Sequence, residues 1–223
     1  MHQRKSKKIL IYFFILILVG SINNIKFNLV NLNKINQIKI SGLNNLESNN
    51  IFEKINNLNL KSIFFLKRKD LVNILKSNTL VENYEIFKIY PSSLKINITK
   101  TNFLAKINNN GKIYLVGSNG KLSKNNFSGE KLPFIFGKPS VIEFLKFKDE
   151  IDLSKVPYDQ IKNIFFFPSK RWDLELKNGI LLKLPINNIT ASLDYILKLL
   201  SNKNLRNIKI VDARIENQII LNE

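Results

Sequence analysis

Cysteine is absent from the 223 residues, and histidine occurs once, at position 2. The first absence excludes disulfides, thiolate metal sites and cysteine nucleophiles, and it leaves the redox compartment unread. The second removes imidazole as general base, triad member or zinc ligand from every folded part of the chain, because His2 sits in a charged N-terminal tail. Glycine-rich phosphate loops are missing too. The Gly117–Gly120 stretch, G-S-N-G, reads as a hairpin turn and lacks the lysine and following helix of a nucleotide-binding loop.

What is present is a hydrophobic fraction of 44%, enough for a real core, and a net charge of +18. Such a charge is the electrostatic footprint of nucleic-acid binding. Lysine, isoleucine and asparagine, however, are abundant in core, turn and surface positions alike, as a coding bias towards A+T would produce. Arg4, Lys5, Lys7 and Lys8 carry four of the charges, and the rest form no sustained basic run. With no recognition motif beside the charge, no nucleic-acid partner is expected, and no small-molecule substrate.

The N-terminus carries the clearest signal. The basic segment HQRKSKK precedes an apolar run from Ile9 to Ile22, broken only by Gly20 and Ser21. Lysines and arginines before such a run hold that end in the cytoplasm, so the remainder emerges on the far side. As a helix the run spans about 21 Å, short of the ~30 Å of a bilayer core. Two readings fit. An uncut anchor gains length from the mixed stretch NNIKFNLVNL and from Lys7 and Lys8 reaching to the interface. A signal peptide would use Val19 and Ser21 as −3 and −1 residues. The expected division is a cytoplasmic tail over 1–8, then a transmembrane helix and juxtamembrane segment over 9–30.

Beyond it the pattern is α+β. INQIKISGL alternates, with Ile38 and Ile40 on one face and Gly42 ending the strand. A helix follows with Ile51, Ile55 and Leu58 in a stripe and Ser48 as its cap, then a second helix with Leu71, Ile74 and Leu75 on one face. VENYEIFKIYPSSLKINIT gives a strand, a turn at Tyr90–Ser93, and a strand with Leu94, Ile96 and Ile98 inward. The order is β-α-α-β-β. Further on, GKIYLVGSNGKLS forms a hairpin with a turn at Ser118–Gly120. RWDLELKNGILLKLP forms another, with Trp172, Leu174 and Leu176 inward, Asp173, Glu175 and Lys177 outward, and two positive-φ positions at Asn178 and Gly179. One amphipathic helix, with Leu193, Ile196, Leu197 and Leu200 in a stripe, packs on this sheet. Trp172 is then a core residue rather than a ligand-stacking one, and Arg171 a surface cation.

The basic segment and single apolar span, IKISGLNNLESNNIFEKI, LVENYEIFKIYPSSLKINI, NNGKIYLVGSNGKL with LPFIFG, and RWDLELKNGILLKLP with IKIVDARIENQIIL together resemble, in order and spacing, the FtsQ/DivIB family of bacterial cell-division proteins. The resemblance implies one N-terminal transmembrane helix, a POTRA domain over 31–101, and a β-rich domain of mostly antiparallel strands with packed helices over 102–223. It also implies a cell inner-membrane, single-pass protein with a periplasmic C-terminus, acting as a divisome scaffold. Two departures stand out. The chain reads KTNFLA from Lys100 where the family has an acidic residue and a proline, and it has Gly117 where an aspartate commonly precedes the next turn.

Catalysis finds no support in the residues. Asp149, Glu150 and Asp152 read as a polar loop, Asp173 and Glu175 as an outward strand face, and neither group has the apolar surroundings that separate two carboxylate pKa values. Ser92, Ser93, Ser118 and Ser169 lie in turns without a nucleophile elbow. The chain reads as a non-enzyme without cofactor or metal. Its best binding candidate is the C-terminal strand, which has an edge to offer to a partner strand. By the resemblance, the last strands dock FtsB-like and FtsL-like coiled-coil proteins, the family's Asp-x-Arg pattern matches Asp212 and Arg214, and Ile215, Gln218, Ile219 and Ile220 complete the surface. An ordinary solvated arginine is the competing reading of Arg214. Two other functions stay open: a POTRA-containing chaperone or assembly factor, and a secreted basic protein binding wall polymer or nucleic acid.

Overall fold

The computed structural model describes residues 3–22, 35–58, 63, 66–124, 131–201, 208–215 and 218–222. Helix α1 (Gln3–Ile22) contains the whole apolar run, and every residue from Lys7 to Gly20 is exposed. Among the described residues no helix is long and apolar enough to cross a membrane. The expected extension of the span to residue 30 lies outside them. The chain divides into two compact units, residues 1–75 with 85–97 and residues 76–84 with 98–223.

The chain follows the expected β-α-α-β-β order, β1 (Gln37–Ser41), α2 (Asn45–Asn56), α3 (Arg68–Ser77), β2 (Val81–Ile89) and β3 (Ser93–Lys100), and the first unit takes in β1, α2, most of α3, the second half of β2 and most of β3. Its sheet runs β1-β3-β2, with β1 parallel to β3. Alternation in β3 sends Leu94 and Ile96 into the core with Ile51 and Ile55 of α2 and Leu71 and Leu75 of α3, all essentially inaccessible. The cap of α2 is Asn44, not Ser48. Asn44 Oδ1 accepts the Glu47 N–H (2.9 Å), and the Asn44 N–H donates back to Glu47 Oε2 (3.3 Å). That capping box starts the helix a turn earlier, and its end at Asn56 leaves Leu58 outside it and exposed.

The second unit holds a nine-stranded sheet in the order β12-β11-β10-β9-β8-β7-β4-β5-β6. Its elements are β4 (Phe103–Asn109), β5 (Lys112–Gly117), β6 (Leu122–Ser123), β7 (Phe134–Phe136), α4 (Val141–Leu153), β8 (Ile161–Phe166), β9 (Trp172–Leu176), β10 (Leu181–Lys183), α5 (Ile189–Leu200), β11 (Ile210–Asp212) and β12 (Ile220–Asn222). Five of its eight pairings are antiparallel, in keeping with the mixed α+β expectation. Both β7–β8 and β10–β11 are parallel neighbours, and parallel neighbours need a crossover. Helices α4 and α5 supply them, so the domain has two packed helices where the apolar pattern had singled out one.

Helix α4 also corrects the reading of Asp149, Glu150 and Asp152, which lie on it rather than in a loop. Ser140 and Glu143 cap it reciprocally. The Glu150 carboxylate accepts from Thr190 of α5, and Asp152 pairs with Lys148, whose ammonium lies 4.2 Å from the Tyr158 ring centroid. The core between sheet and helices centres on Ile135, Ile164, Leu174, Leu182 and Val211 of the strands with Phe144, Ile151, Leu193 and Ile196 of the helices. Trp172 is 5% exposed and belongs to it.

The hairpin at Asn178–Gly179 and the strand before it differ in detail from expectation. Only Gly179 has positive φ (89°), and the loop holds three residues, closed by the Leu176 N–H donating to Ile180 O (2.9 Å). A type I turn followed by one left-handed residue has this form and needs glycine only at its last position. Asp173, expected on the solvated face, is 3% exposed. It lies on an interior strand where its Oδ1 accepts from Arg171 Nε (3.1 Å) and from the Leu184 N–H (3.3 Å). Arg171 is accordingly half-buried, with its guanidinium 4.2 Å from the Phe167 ring centroid.

The Gly117 departure has a steric account. A Cβ there would stand 2.7 Å from Asn119 Oδ1 and 3.0 Å from Thr101 Oγ1. These atoms belong to a polar knot within the second unit. Glu82 Oε2 accepts from Thr101 Oγ1 (2.8 Å) and Ser118 Oγ (2.7 Å), while Asn119 Nδ2 donates to the carbonyls of Thr79 (2.9 Å) and Val81 (3.0 Å).

Candidate partner-docking surface

The C-terminal segment is a strand pair rather than one strand. Strand β11 lies parallel to β10, and the chain then leaves the sheet at Ala213–Ile215 and returns as β12, antiparallel to β11. Register pairs Asp212 with Ile220 and Val211 with Leu221. Val211 and Ala213 are buried against the core, whereas Ile215 and Ile220 are exposed. Strand β12 has one neighbour in the sheet, so its outer side is the sheet's edge.

Asp212 ends β11, and Arg214 folds back onto it. The guanidinium Nε lies 2.8 Å from Oδ1 and 3.0 Å from Oδ2, Nη2 also bonds Oδ2, and the Arg214 N–H donates to Oδ1 (3.1 Å). These bonds hold the Asp212 carboxyl below the usual range, with Lys183 acting in the same direction, and they raise the Arg214 guanidinium further. Arg214 is thus no free cation. Its side chain keeps 44% of its accessible surface, which leaves donors for a second acceptor on the solvent side.

Lys183 is central in a row crossing the sheet on the face away from the helices. Register places Phe136 beside Phe165, Phe165 beside Asp173, Asp173 beside Lys183, Lys183 beside Asp212, and Asp212 beside Ile220. Charge alternates over three consecutive positions of the row, Asp173, Lys183 and Asp212.

Next to the strand pair a groove of about 860 Å3 opens along α5. Ile186, Ala191, Tyr195 and Leu199 line one wall, and Arg214, Ile215, Gln218 and Ile219 line the other. Ile186, Tyr195 and Ile215 are more than half exposed. The structure therefore brings Arg214, Ile215, Gln218 and Ile219 to one groove, with Asp212 and Ile220 on the adjoining strands. Residues 216 and 217 lie outside the described part. Sequence reasoning missed the α5 wall. Its signal was a second stripe at Ala191, Tyr195 and Leu199, spaced by four and offset from the buried stripe of Leu193 and Ile196.

No group of three or more carboxylate and histidine residues fit to hold a metal occurs among the described residues. Several carboxylates are paired, among them Glu175 with Lys162 and Asn163, whose hydrogen bonds hold it low, and Glu143 with Lys170.

Comparison with known proteins gives two family matches. The POTRA domain of FtsQ type matches residues 33–100, and the C-terminal domain of cell division protein FtsQ/DivIB matches residues 105–214. The cell division protein FtsQ of Rickettsia bellii (strain RML369-C) is 27% identical over 188 residues, 83% of this chain and 70% of that protein. The cell division protein DivIB of Staphylococcus aureus (strain NCTC 8325 / PS 47) is 26% identical over 170 residues, 74% of this chain and 39% of that one. A solved structure, the major extracytoplasmic domain of the trans isomer of DivIB from Geobacillus stearothermophilus, aligns at 15% identity and a TM-score of 0.34, over 50% of this chain and 99% of that one, too loosely to argue from. With the two matches in sequence and covering both folded units, the chain belongs to the FtsQ/DivIB family of cell division proteins.

Proposed function

We propose that this protein is a non-enzymatic scaffold of cell division, linking early and late division proteins at the septum. It would be held in the inner membrane by one N-terminal span, with a cytoplasmic tail over 1–8, a POTRA domain over 31–101 and a β domain over 102–223 outside. The names of its relatives support the division role. The all-round exposure of apolar side chains on α1, from Ile9 to Val19, supports the anchor, because a helix apolar on every side is stable only in a core or in lipid. Although its apolar part falls short of a bilayer core, lysines at the start of the helix reach the headgroups and local thinning makes up the rest.

The observation that carries the docking reading is the coincidence of an unpaired sheet edge, β12, with an apolar groove bearing Arg214 at its rim. A partner strand would pair with β12, and the FtsB-like and FtsL-like coiled-coil proteins are the partners for which the family resemblance argues. Apolar side chains of the partner would fill the groove, and a partner carboxylate would take the Arg214 donors that Asp212 leaves open.

The test is co-purification of such a partner from detergent-solubilised membranes with Arg214→Glu and Ile220→Asp. Both side chains are exposed, and circular dichroism checks that the fold survives the two carboxylates set beside Asp212. The charge reversal costs roughly 2–5 kcal/mol of affinity if docking buries the arginine. A folded double variant that keeps wild-type affinity rejects this surface. The anchor is tested separately: the chain stays in the membrane pellet after alkaline extraction, and a soluble form beginning near Ile22 contradicts it.

A further inference from the structure

The first unit's sheet has one face covered by α2 and α3 and one that, among the described residues of the sheet and these helices, carries no helix. On the open face, Ser41 Oγ and Glu85 Oε2 both bond the Asn97 side chain, at 2.9 and 3.3 Å, which fixes the facing of β1, β3 and β2. Lys39 and Lys95 are register partners on this face. Like charges directly opposite across strands repel, and no carboxylate among the described residues forms an ion pair with either ammonium. Beside them Phe87 and Ile89 are exposed by 45% and 49%, with the Lys95 ammonium 6.0 Å from the Phe87 ring centroid. The exposed Tyr90 follows at the turn.

These groups gather at one end of the sheet. The Asn36 N–H donates to Ser92 O (3.0 Å), so the Tyr90–Ser92 turn sits where the chain enters β1 from the direction of α1. Fourteen residues separate Ile22 from Gln37, a reach of at most about 50 Å even when fully extended. If α1 is in lipid, the basic and aromatic end of this sheet is tethered within about 50 Å of the headgroups, near enough to reach them.

We propose that this face docks on an anionic phospholipid surface, with Lys39 and Lys95 on phosphodiester headgroups and Phe87, Ile89 and Tyr90 at the interface. Lysine stems and aromatic rings suit that boundary, and the headgroup charge relieves the Lys39–Lys95 repulsion that no carboxylate among the described residues offsets. The proposal rests on the anchored reading of α1.

The absence of cysteine makes a single labelled site unambiguous. The full chain carrying Ser92→Cys with a fluorophore is reconstituted into nanodiscs of phosphatidylcholine, with or without phosphatidylglycerol, and headgroup-attached nitroxide serves as quencher. A Lys177→Cys label in the second unit is the control. The expected result is quenching at position 92 in anionic discs only, weakened by salt. The double inversion Lys39→Glu/Lys95→Glu keeps a like-charge pair, so its melting temperature stays near wild type. Its docked-to-free ratio falls by at least about 25-fold, at about fivefold per lysine lost.

Quenching at position 92 no stronger than at position 177 in anionic discs, or quenching indifferent to the inversion, overturns the proposal. So does protection of the label by soluble polyglutamate without lipid quenching, which would make the face a site for an acidic protein. A chain that does not stay in the discs defeats the anchor reading instead.

Discussion

The indole of Trp172 lies flat on the ring of Phe147, with centroids 4.5 Å apart and planes 4° from parallel, so the first residue of β9 is locked to α4. Phe166, its register partner on β8, has its ring centroid 4.5 Å from the indole, tilted by 47°. Trp172→Ala should destabilise the second unit by about 3–5 kcal/mol through the cavity left between strand and helix. Trp172→Phe, which keeps a ring on Phe147, should cost clearly less. Denaturant melts followed by circular dichroism measure both, and an unchanged midpoint for the alanine variant would show that this stack does not hold the helix.

Asp173 is neutralised by neighbours that have few alternatives. Removing its carboxylate strands the half-buried Arg171 guanidinium and leaves the Leu184 N–H without its acceptor. Asp173→Ala should cost about 3 kcal/mol, the lower end of the range for breaking a buried pair, since Arg171 keeps some solvent. In a double-mutant cycle, Arg171→Ala should cost less in the Asp173→Ala background than in wild type. Strict additivity would mean the two residues do not act as a pair.

Glu143 gives a pH signature. Hydrogen bonds from Lys170 first, then from Ser140, hold its carboxyl down from 4.5 to about 2. A carboxylate depressed by folding stabilises at pH values above its unfolded pKa, and that contribution is lost as pH falls through the folded one. The stability gap between wild type and Glu143→Gln should therefore be constant above about pH 5, shrink below 4.5 and close near 2. Thermal melts across this range test it, and a gap that persisted at pH 2 would contradict the capping role.

Much of the first unit was legible because its elements obey one period each. Leu94, Ile96 and Ile98 alternate, Leu71 and Leu75 repeat at a helical turn, and both patterns survive intact in the core. The second unit hid more. In α4 the inward positions include Lys148, whose stem is buried while its ammonium meets Asp152 and Tyr158, so the apolar stripe is interrupted by a charge. Strand β7 has only three residues, too few for a period to show. Asp173 broke the inside–outside rule because its burial is satisfied by polar partners that alternation does not report, Arg171 two residues back and the Leu184 N–H across the hairpin. The docking surface was half visible: alternation pointed to the C-terminal strand, but no local pattern says that Arg214 turns back onto Asp212 or that Tyr195 faces a groove.

The alternating row Asp173–Lys183–Asp212 bears on strand misregistration. Strands β10 and β11 share only three residue pairs, and sliding one by two residues keeps every inward side chain inward, so hydrophobic burial alone hardly rejects the slip. Charge weighs against it, because the shift sets Lys183 against Ile210 or Asp212 against Leu181 and gives up the attraction between Lys183 and Asp212. Lys183 thus biases how the last strands are threaded, and a Lys183→Leu chain should hold β11 less firmly to this one alignment.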